Sequence, residues 1–413
     1  MRKIALPVYY TSFAVFLFSA ISLVVPTGYS YGAALLFLGS LVYVWRPAAW
    51  KALEWDDWKI VFALIFFSAV WVLEVLLYEQ GISGVDKPSR FLAAALVLPF
   101  LLRFSPLPVF FWSGLALGSI LTGSWSVWQK IVEEVSRAGG FTNTIQFGNI
   151  SMLMGLLCLA GLSWAYLQPR RVFWLIFLFA GFVMGVLGSV LSGSRGGWIA
   201  LPIAFFVLYR GYSDFLRWHH ALYILLGLLV LASLVYSIPQ TEVRHRVQLA
   251  AAEVQDYLET GNARSSVGAR LEMWHAASRM IAEKPLLGWG SQGYMAAQAR
   301  MAEEGVVDRF ILRFDHPHNE YLNVTSKRGL LGLAALLLLY FIPLRLFYKG
   351  FRISCLQCRS YAVAGAILSV TYIDFGLTQV FFSHNSGVMV YSFMLVVLWS
   401  IFVTSHQFRG SRE

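Results

Sequence analysis

The stretch DHPHNEYL, residues 315–322, crowds Asp315, His316, His318, Asn319 and Glu320 against the apolar run LLGLAALLLLYFIPL that follows shortly after. A neutral imidazole, with a pKa of about 6.5, can accept a proton from a hydroxyl near neutral pH. Nearby carboxylates and amides are the groups that fix such a ring's tautomer. The other reading of the same residues is a histidine that caps a helix entrance. Arg195, in LSGSRGGW, sits in a glycine-flanked turn where backbone can approach a ligand closely. Its guanidinium offers five donors to an anion. Arg270 lies one turn before Trp274 on an expected helix, so either cation–π support or surface exposure accounts for it. Glu74 in WVLEVLL and Asp374 in YIDFGL are ionisable groups near the ends of apolar segments, placed either to bond a neighbouring helix or to serve a site. His384 in FFSHNSG stands alone and reads as structural.

Other segments carry chemical spacing without chemical context. GWGSQG, Gly288–Gly293, matches G-x-G-x-x-G, but a dinucleotide site needs a preceding strand, and a proline-ended helix precedes it here. A helix-to-helix turn is expected. CLQC, Cys355 and Cys358, has redox or zinc spacing with no second ligand pair, and reads as coincidence. Asp56 and Asp57 in EWDDW read as a solvated loop, and Cys158 as a buried apolar residue.

The elements that must position these residues are membrane helices. The chain is 58% hydrophobic and 13% charged, whereas soluble domains carry roughly a quarter charged residues. Crossing a hydrocarbon core takes about 20 apolar residues. Twelve segments qualify, near 7–25, 31–45, 60–78, 91–102, 107–127, 148–167, 172–192, 197–209, 219–237, 329–347, 360–379 and 387–405. With the N-terminus inside, cytoplasmic segments hold sixteen Lys and Arg, Arg170, Arg171 and Arg345 among them, and short outer loops hold five. That asymmetry sets the orientation and puts both termini in the cytoplasm. The net charge of +10 then reports topology and contact with anionic lipid, and calls for no nucleic acid.

The organisation expected is an all-α polytopic membrane protein. About 12 transmembrane helices would be split into residues 1–237, an outer helical loop domain at 238–328, and residues 329–413 with a cytoplasmic tail. Within the loop, EVRHRVQLAAAEVQDYLE has helical periodicity. SSVGARLEMWHAASRMIAEKP opens on capping serines and ends before Pro285, with Leu271, Trp274, Ala277 and Ile281 as the expected buried stripe. A third helix is expected over 293–303. The loop lacks cysteine, so packing on the membrane helices is expected to hold it.

Taken together, twelve spans, GSRGGW, ARLEMWHAASRMIAEKPLLGWG in a large outer loop and HPHNEYLNVTSKRGLLGL entering the next span resemble the O-antigen ligases of the bacterial inner membrane. The resemblance implies glycosyl transfer on the periplasmic face, inverting, with neither metal nor cofactor. The donor would be a glycan on undecaprenyl diphosphate and the acceptor a sugar hydroxyl of the lipid A core. By residue, it implies His318 as general base and Arg195 and Arg270 as diphosphate-binding cations; His316, Asn319, Glu320 and Asp374 are candidates for support by their type and position alone. A polymerase or a protein O-oligosaccharyltransferase would use the same donor. A secondary transporter coupling protons through Glu74 and Asp374 is the reading from another class.

Overall fold

The computed structural model describes residues 5–194, 196–215 and 243–410, with positions 219, 222 and 226 between them. Among these, all regular structure is helical. The longer helices are α1 (Leu6–Ala20), α2 (Gly28–Leu41), α3 (Trp55–Leu77), α4 (Asp86–Arg103), α5 (Pro108–Ile131), α6 (Thr144–Ala160) and α7 (Arg171–Ser192). They continue as α8 (Ala200–Tyr212), α9 (Val243–Thr260), α10 (Ser266–Glu283), α11 (Gly290–Glu303), α12 (Glu320–Lys349), α13 (Leu356–Thr378) and α14 (Asn385–Gly410).

Six described helices are long and apolar enough to cross a membrane: Trp55–Leu77, Thr144–Tyr166, Arg171–Ser192, Glu320–Arg352, Leu356–Thr378 and Asn385–His406. This is fewer than the twelve expected. Of the other expected spans, α4 and α5 are 18 and 24 residues long and fall short in apolar character, while three fall short in length. At 1.5 Å per residue, the 15, 14 and 13 residues of α1, α2 and α8 fall short of a straight crossing. The expected ninth span, 219–237, lies almost wholly outside the described residues.

Two compact units divide the chain. The first comprises Met1–Leu73, Gly81–Gly211 and Ala334–Glu413. Its helices approach closely through small residues, as apolar helices do when van der Waals contact replaces the hydrophobic effect. A Cβ on Gly185 would stand 2.8 Å from the backbone of Gly155, and Ser119 and Ser151 donate to the carbonyls of Gly181 and Gly185 at 2.6 and 2.8 Å. Asp57 is buried, contrary to the solvated loop expected. One oxygen accepts from the Trp399 indole at 2.7 Å and the other caps the Glu54 amide at 2.9 Å. Cys355 and Cys358 are joined as a disulfide at the start of α13, so their spacing is a covalent bridge, where coincidence was expected.

The second unit comprises Glu74–Gln80 and Tyr212–Leu333. It has its own core, in which Ala269, Met273, Ala276 and Met280 of α10 meet Tyr294, Ala297 and Met301 of α11 and Ile311 of the following 3-10 turn. The loop therefore has internal packing of its own. The buried stripe is also rotated from the one expected. Of Leu271, Trp274, Ala277 and Ile281 only Ala277 is fully buried, because the Ala/Met face of α10 fits closely against α11. Inside this face Glu272 accepts from the Tyr257 hydroxyl and from the Asp308 amide.

GWGSQG lies where a turn between helices was expected, but only Gly288 and Trp289 belong to the turn: α10 ends at Glu283 and α11 begins at Gly290. The turn crosses the start of α12 at backbone contact. Trp289 N–H donates to Ser326 O at 2.9 Å and Leu330 N–H to Pro285 O at 2.7 Å. Gly329, at φ 67°, would place a Cβ 2.1 Å from the Leu286 carbonyl carbon, so no other residue fits there. Glu74 closes this crossing. It forms a buried ion pair with Arg328 and accepts from Ser291 N–H and Oγ and from Gln80 Nε2. Of its two sequence readings, the structural one holds.

Candidate active site

The turn carrying His318 is fixed by side chains from two helices. Trp274, on α10, donates its indole N–H to Pro317 O at 2.8 Å, and Lys327, on α12, donates from Nζ to Asp315 O at 2.9 Å. Immediately after these anchors His318 adopts φ 50°, the left-handed region that non-glycine residues enter at a cost of order 1 kcal/mol or more. Such a conformation persists only where its surroundings over-determine it, and active sites are where it concentrates. Downstream, Asn319 Oδ1 accepts from Leu322 N–H at 3.0 Å and starts α12, and Glu320 is buried in its first turn.

Around His318 stand aromatic rings. The His316 ring centroid lies 4.5 Å away and that of Phe314 5.7 Å away. His316 Nδ1 meets Asp315 Oδ1 at 2.8 Å. The hydrogen bond to His316, aided by its charge and that of Lys327, holds the Asp315 carboxyl well below the usual carboxylate range despite some desolvation. Asp315 thus engages His316, one position from the tautomer-fixing role expected of it toward His318. Asn319 is likewise occupied as a cap.

Arg270 lies on α10 one turn before Trp274. It is half-buried, and desolvation lowers its pKa. Neither a carboxylate nor an aromatic ring partners it among the described residues, so the cation–π reading does not hold. Guanidinium groups in such positions suit an oxyanion ligand. The other cation of the segment, Arg328, is already matched by Glu74.

Arg195 lies outside the described residues. Its neighbours do not: Ser194 Oγ donates to Asn149 Oδ1 at 2.9 Å, and a Cβ on Gly196 would stand 2.3 Å from Thr378 Oγ1. The glycines of SGSRGGW thus admit α6 and α13 closely. Asp374, on α13 in the first unit, is 1% exposed, and neither carboxylate oxygen has a hydrogen-bond partner in its surroundings.

Sequence reasoning missed Trp274 and Lys327 as the residues that hold the turn. The signal was faint, since Lys327 stands among the other polar residues of EYLNVTSKRG.

This constellation falls within a region that matches a known family. Residues 180–337 fit the family model described as O-antigen ligase. The match runs from within α7 to the middle of α12 and includes Arg195, Arg270 and His318. An uncharacterized protein of Haemophilus influenzae is 28% identical over 378 residues, covering 91% of this chain and 94% of that protein.

Proposed function

We propose that this protein is an O-antigen ligase in the strict sense: a lipopolysaccharide-assembling glycosyltransferase of the bacterial inner membrane. It moves a polysaccharide from undecaprenyl diphosphate to a sugar hydroxyl of the lipid A core. Transfer takes place on the periplasmic face, among about twelve spans with both termini in the cytoplasm. The observation that carries this reading is the His318 turn. A histidine held in a strained conformation by Trp274 and Lys327, on the helix framework that also bears an unpaired, desolvated Arg270, has the parts of a base and an anion site.

The chemistry is a single displacement. The acceptor hydroxyl oxygen bonds to the anomeric carbon from the face opposite the diphosphate, which inverts that centre. Its proton passes to a ring nitrogen of His318. The bond from the anomeric carbon to the diphosphate oxygen breaks, and its electron pair leaves on undecaprenyl diphosphate. Charge grows on that leaving group as the bond stretches. Bidentate hydrogen bonds from Arg270, and from Arg195 by the sequence motif, stabilise it, and one such donor is worth a few kcal/mol in a site closed to water.

A polymerase of the same family would use this donor and displacement with a growing glycan as acceptor. Purified protein given undecaprenyl diphosphate-linked glycan together with lipid A core and free glycan separates the two. Product on the lipid A core supports the ligase, and extension of the glycan alone overturns it.

A further inference from the structure

Cys355 and Cys358 take no part in the transfer step, and their disulfide lies in the first unit at the start of α13. On the orientation proposed above, this end of α13 faces the cytoplasm. That compartment keeps thiols reduced, and the disulfides found there are transient, catalytic or redox-sensing. We propose that Cys355 and Cys358 form a redox-active site that exchanges two electrons with a cytoplasmic protein dithiol, Cys355 being the sulfur attacked.

A purely structural role fits the bridge poorly. Its cysteines are three positions apart, and the stabilisation a cross-link gives by restricting the unfolded chain grows with the loop it closes. The turn also has other ties. Arg359, buried one turn into α13, donates from Nε and Nη2 to Ile353 O at 3.1 and 2.8 Å and from Nη1 to Gly211 O at 3.3 Å. A structural zinc site takes four ligands. No cluster of three or more His, Cys, Asp or Glu able to hold a metal occurs among the described residues.

The surroundings provide for both oxidation states. Cys355 is half-exposed while Cys358 is 1% exposed, so an incoming thiolate meets Cys355 Sγ first. Cys355 is the N-cap of a 23-residue helix, and its Sγ accepts the Cys358 N–H at 3.0 Å. A thiolate there keeps that donor and faces the positive end of the helix dipole. The stretch 352–359 carries Arg352 and Arg359 and no carboxylate, so its own charges favour the anion. The second sulfur is served as well. Ser405 O, on α14, lies 3.6 Å from Cys358 Sγ and can accept the S–H of the reduced thiol.

In the exchange, a partner thiolate bonds to Cys355 Sγ and the S–S bond breaks. Its electron pair goes to Cys358 Sγ, which takes a proton. The partner's second thiolate then bonds to the partner sulfur of the mixed disulfide, and the pair from that breaking bond returns to Cys355. The partner dithiol is thereby oxidised to its disulfide and the Cys355–Cys358 pair reduced, and an oxidised partner runs the same steps backwards. This assignment rests on the orientation read above and is independent of the glycosyl-transfer step.

The test follows the full-length protein by acid quenching and alkylation with a maleimide that adds mass. In growing cells the pair should be mostly free thiols, convert to the disulfide when diamide is added, and return when it is removed. In nanodiscs of phosphatidylethanolamine and phosphatidylglycerol the probe is thioredoxin. Half conversion should fall at a reduced-to-oxidised thioredoxin ratio within about a hundredfold of unity. A thioredoxin lacking its second cysteine should be trapped on the oxidised protein, and peptide mapping should find it on Cys355. Cysteines that neither diamide nor oxidised thioredoxin joins overturn the proposal, as does a bridge that reduced thioredoxin leaves intact, or trapping on Cys358. A membrane-impermeant maleimide should label the reduced pair about tenfold faster in inverted vesicles than in spheroplasts. Faster labelling in spheroplasts overturns both the cytoplasmic partner and the orientation. Failed exchange with labelling from the inside overturns the redox site alone and leaves the orientation and the ligase reading standing.

Discussion

At the scale of single residues, the two histidines of DHPHNEYL are unequal because their surroundings are. His316 is tied to Asp315, whereas His318 sits in the left-handed region directly after two anchored carbonyls. His318→Ala should lower transfer by about 10² to 10⁴, the usual worth of general-base catalysis. His316→Ala should retain measurable activity. Initial rates at matched protein levels decide this, and a His318→Ala rate within a few-fold of the parent would leave that residue a positioning role only. The Asp315–His316 pair also has a pH signature. Since the folded-state pKa of Asp315 lies below its unfolded value of about 3.9, folding is favoured by this group above that value and loses the contribution as the pH falls through it. Asp315→Asn should lower thermal stability modestly above pH 6 and flatten its fall between about pH 4 and pH 2, the two proteins converging in acid.

At the scale of elements, what positions the site is the crossing of 285–291 over 326–330. Glu74 and Arg328 are both buried there, so removing one partner leaves an uncompensated charge, at a cost of about 3–5 kcal/mol. Glu74→Gln should lower the thermal midpoint clearly in detergent, and adding Arg328→Met should recover a large part of the loss. A double variant as unstable as the single one would show that the pair does more than neutralise itself. Trp274 tests positioning without such damage. Trp274→Phe keeps most of the ring and deletes the N–H that holds Pro317 O. We expect kcat to fall about tenfold with the KM for donor little changed and the thermal midpoint within a few degrees. An unaltered kcat would mean that Lys327 alone fixes the turn.

At the scale of the whole molecule, orientation follows from basic residues counted over short loops, independently of any helix geometry. Reporter fusions at Gly261 should read periplasm and fusions at Cys355 cytoplasm; a cytoplasmic Gly261 would put His318 in the wrong compartment and end the ligase reading. The sequence determined the class by itself, because 58% apolar residues arranged in long runs leave a chain no soluble solution, and backbone groups in lipid must close on themselves as helices. It also determined the three helices of the large loop, since periodicity and Ser265 as a cap are local signals. The same holds for the interest of His318 and Arg270, because their types and neighbours are local too. Which face of α10 is buried was not legible: Ala and Met repay burial only against a surface that fits them, and α11 supplies it. Nor was the partner of Glu74, which lies 254 positions away at Arg328. Asp57 with Trp399 and Trp274 with Pro317 are of the same kind, pairs whose spacing in the chain carries no trace of their contact. Only tertiary packing brings such residues within hydrogen-bond reach, and so only the folded chain decided which charges are matched and which, like the half-buried Arg270, have no partner among the described residues.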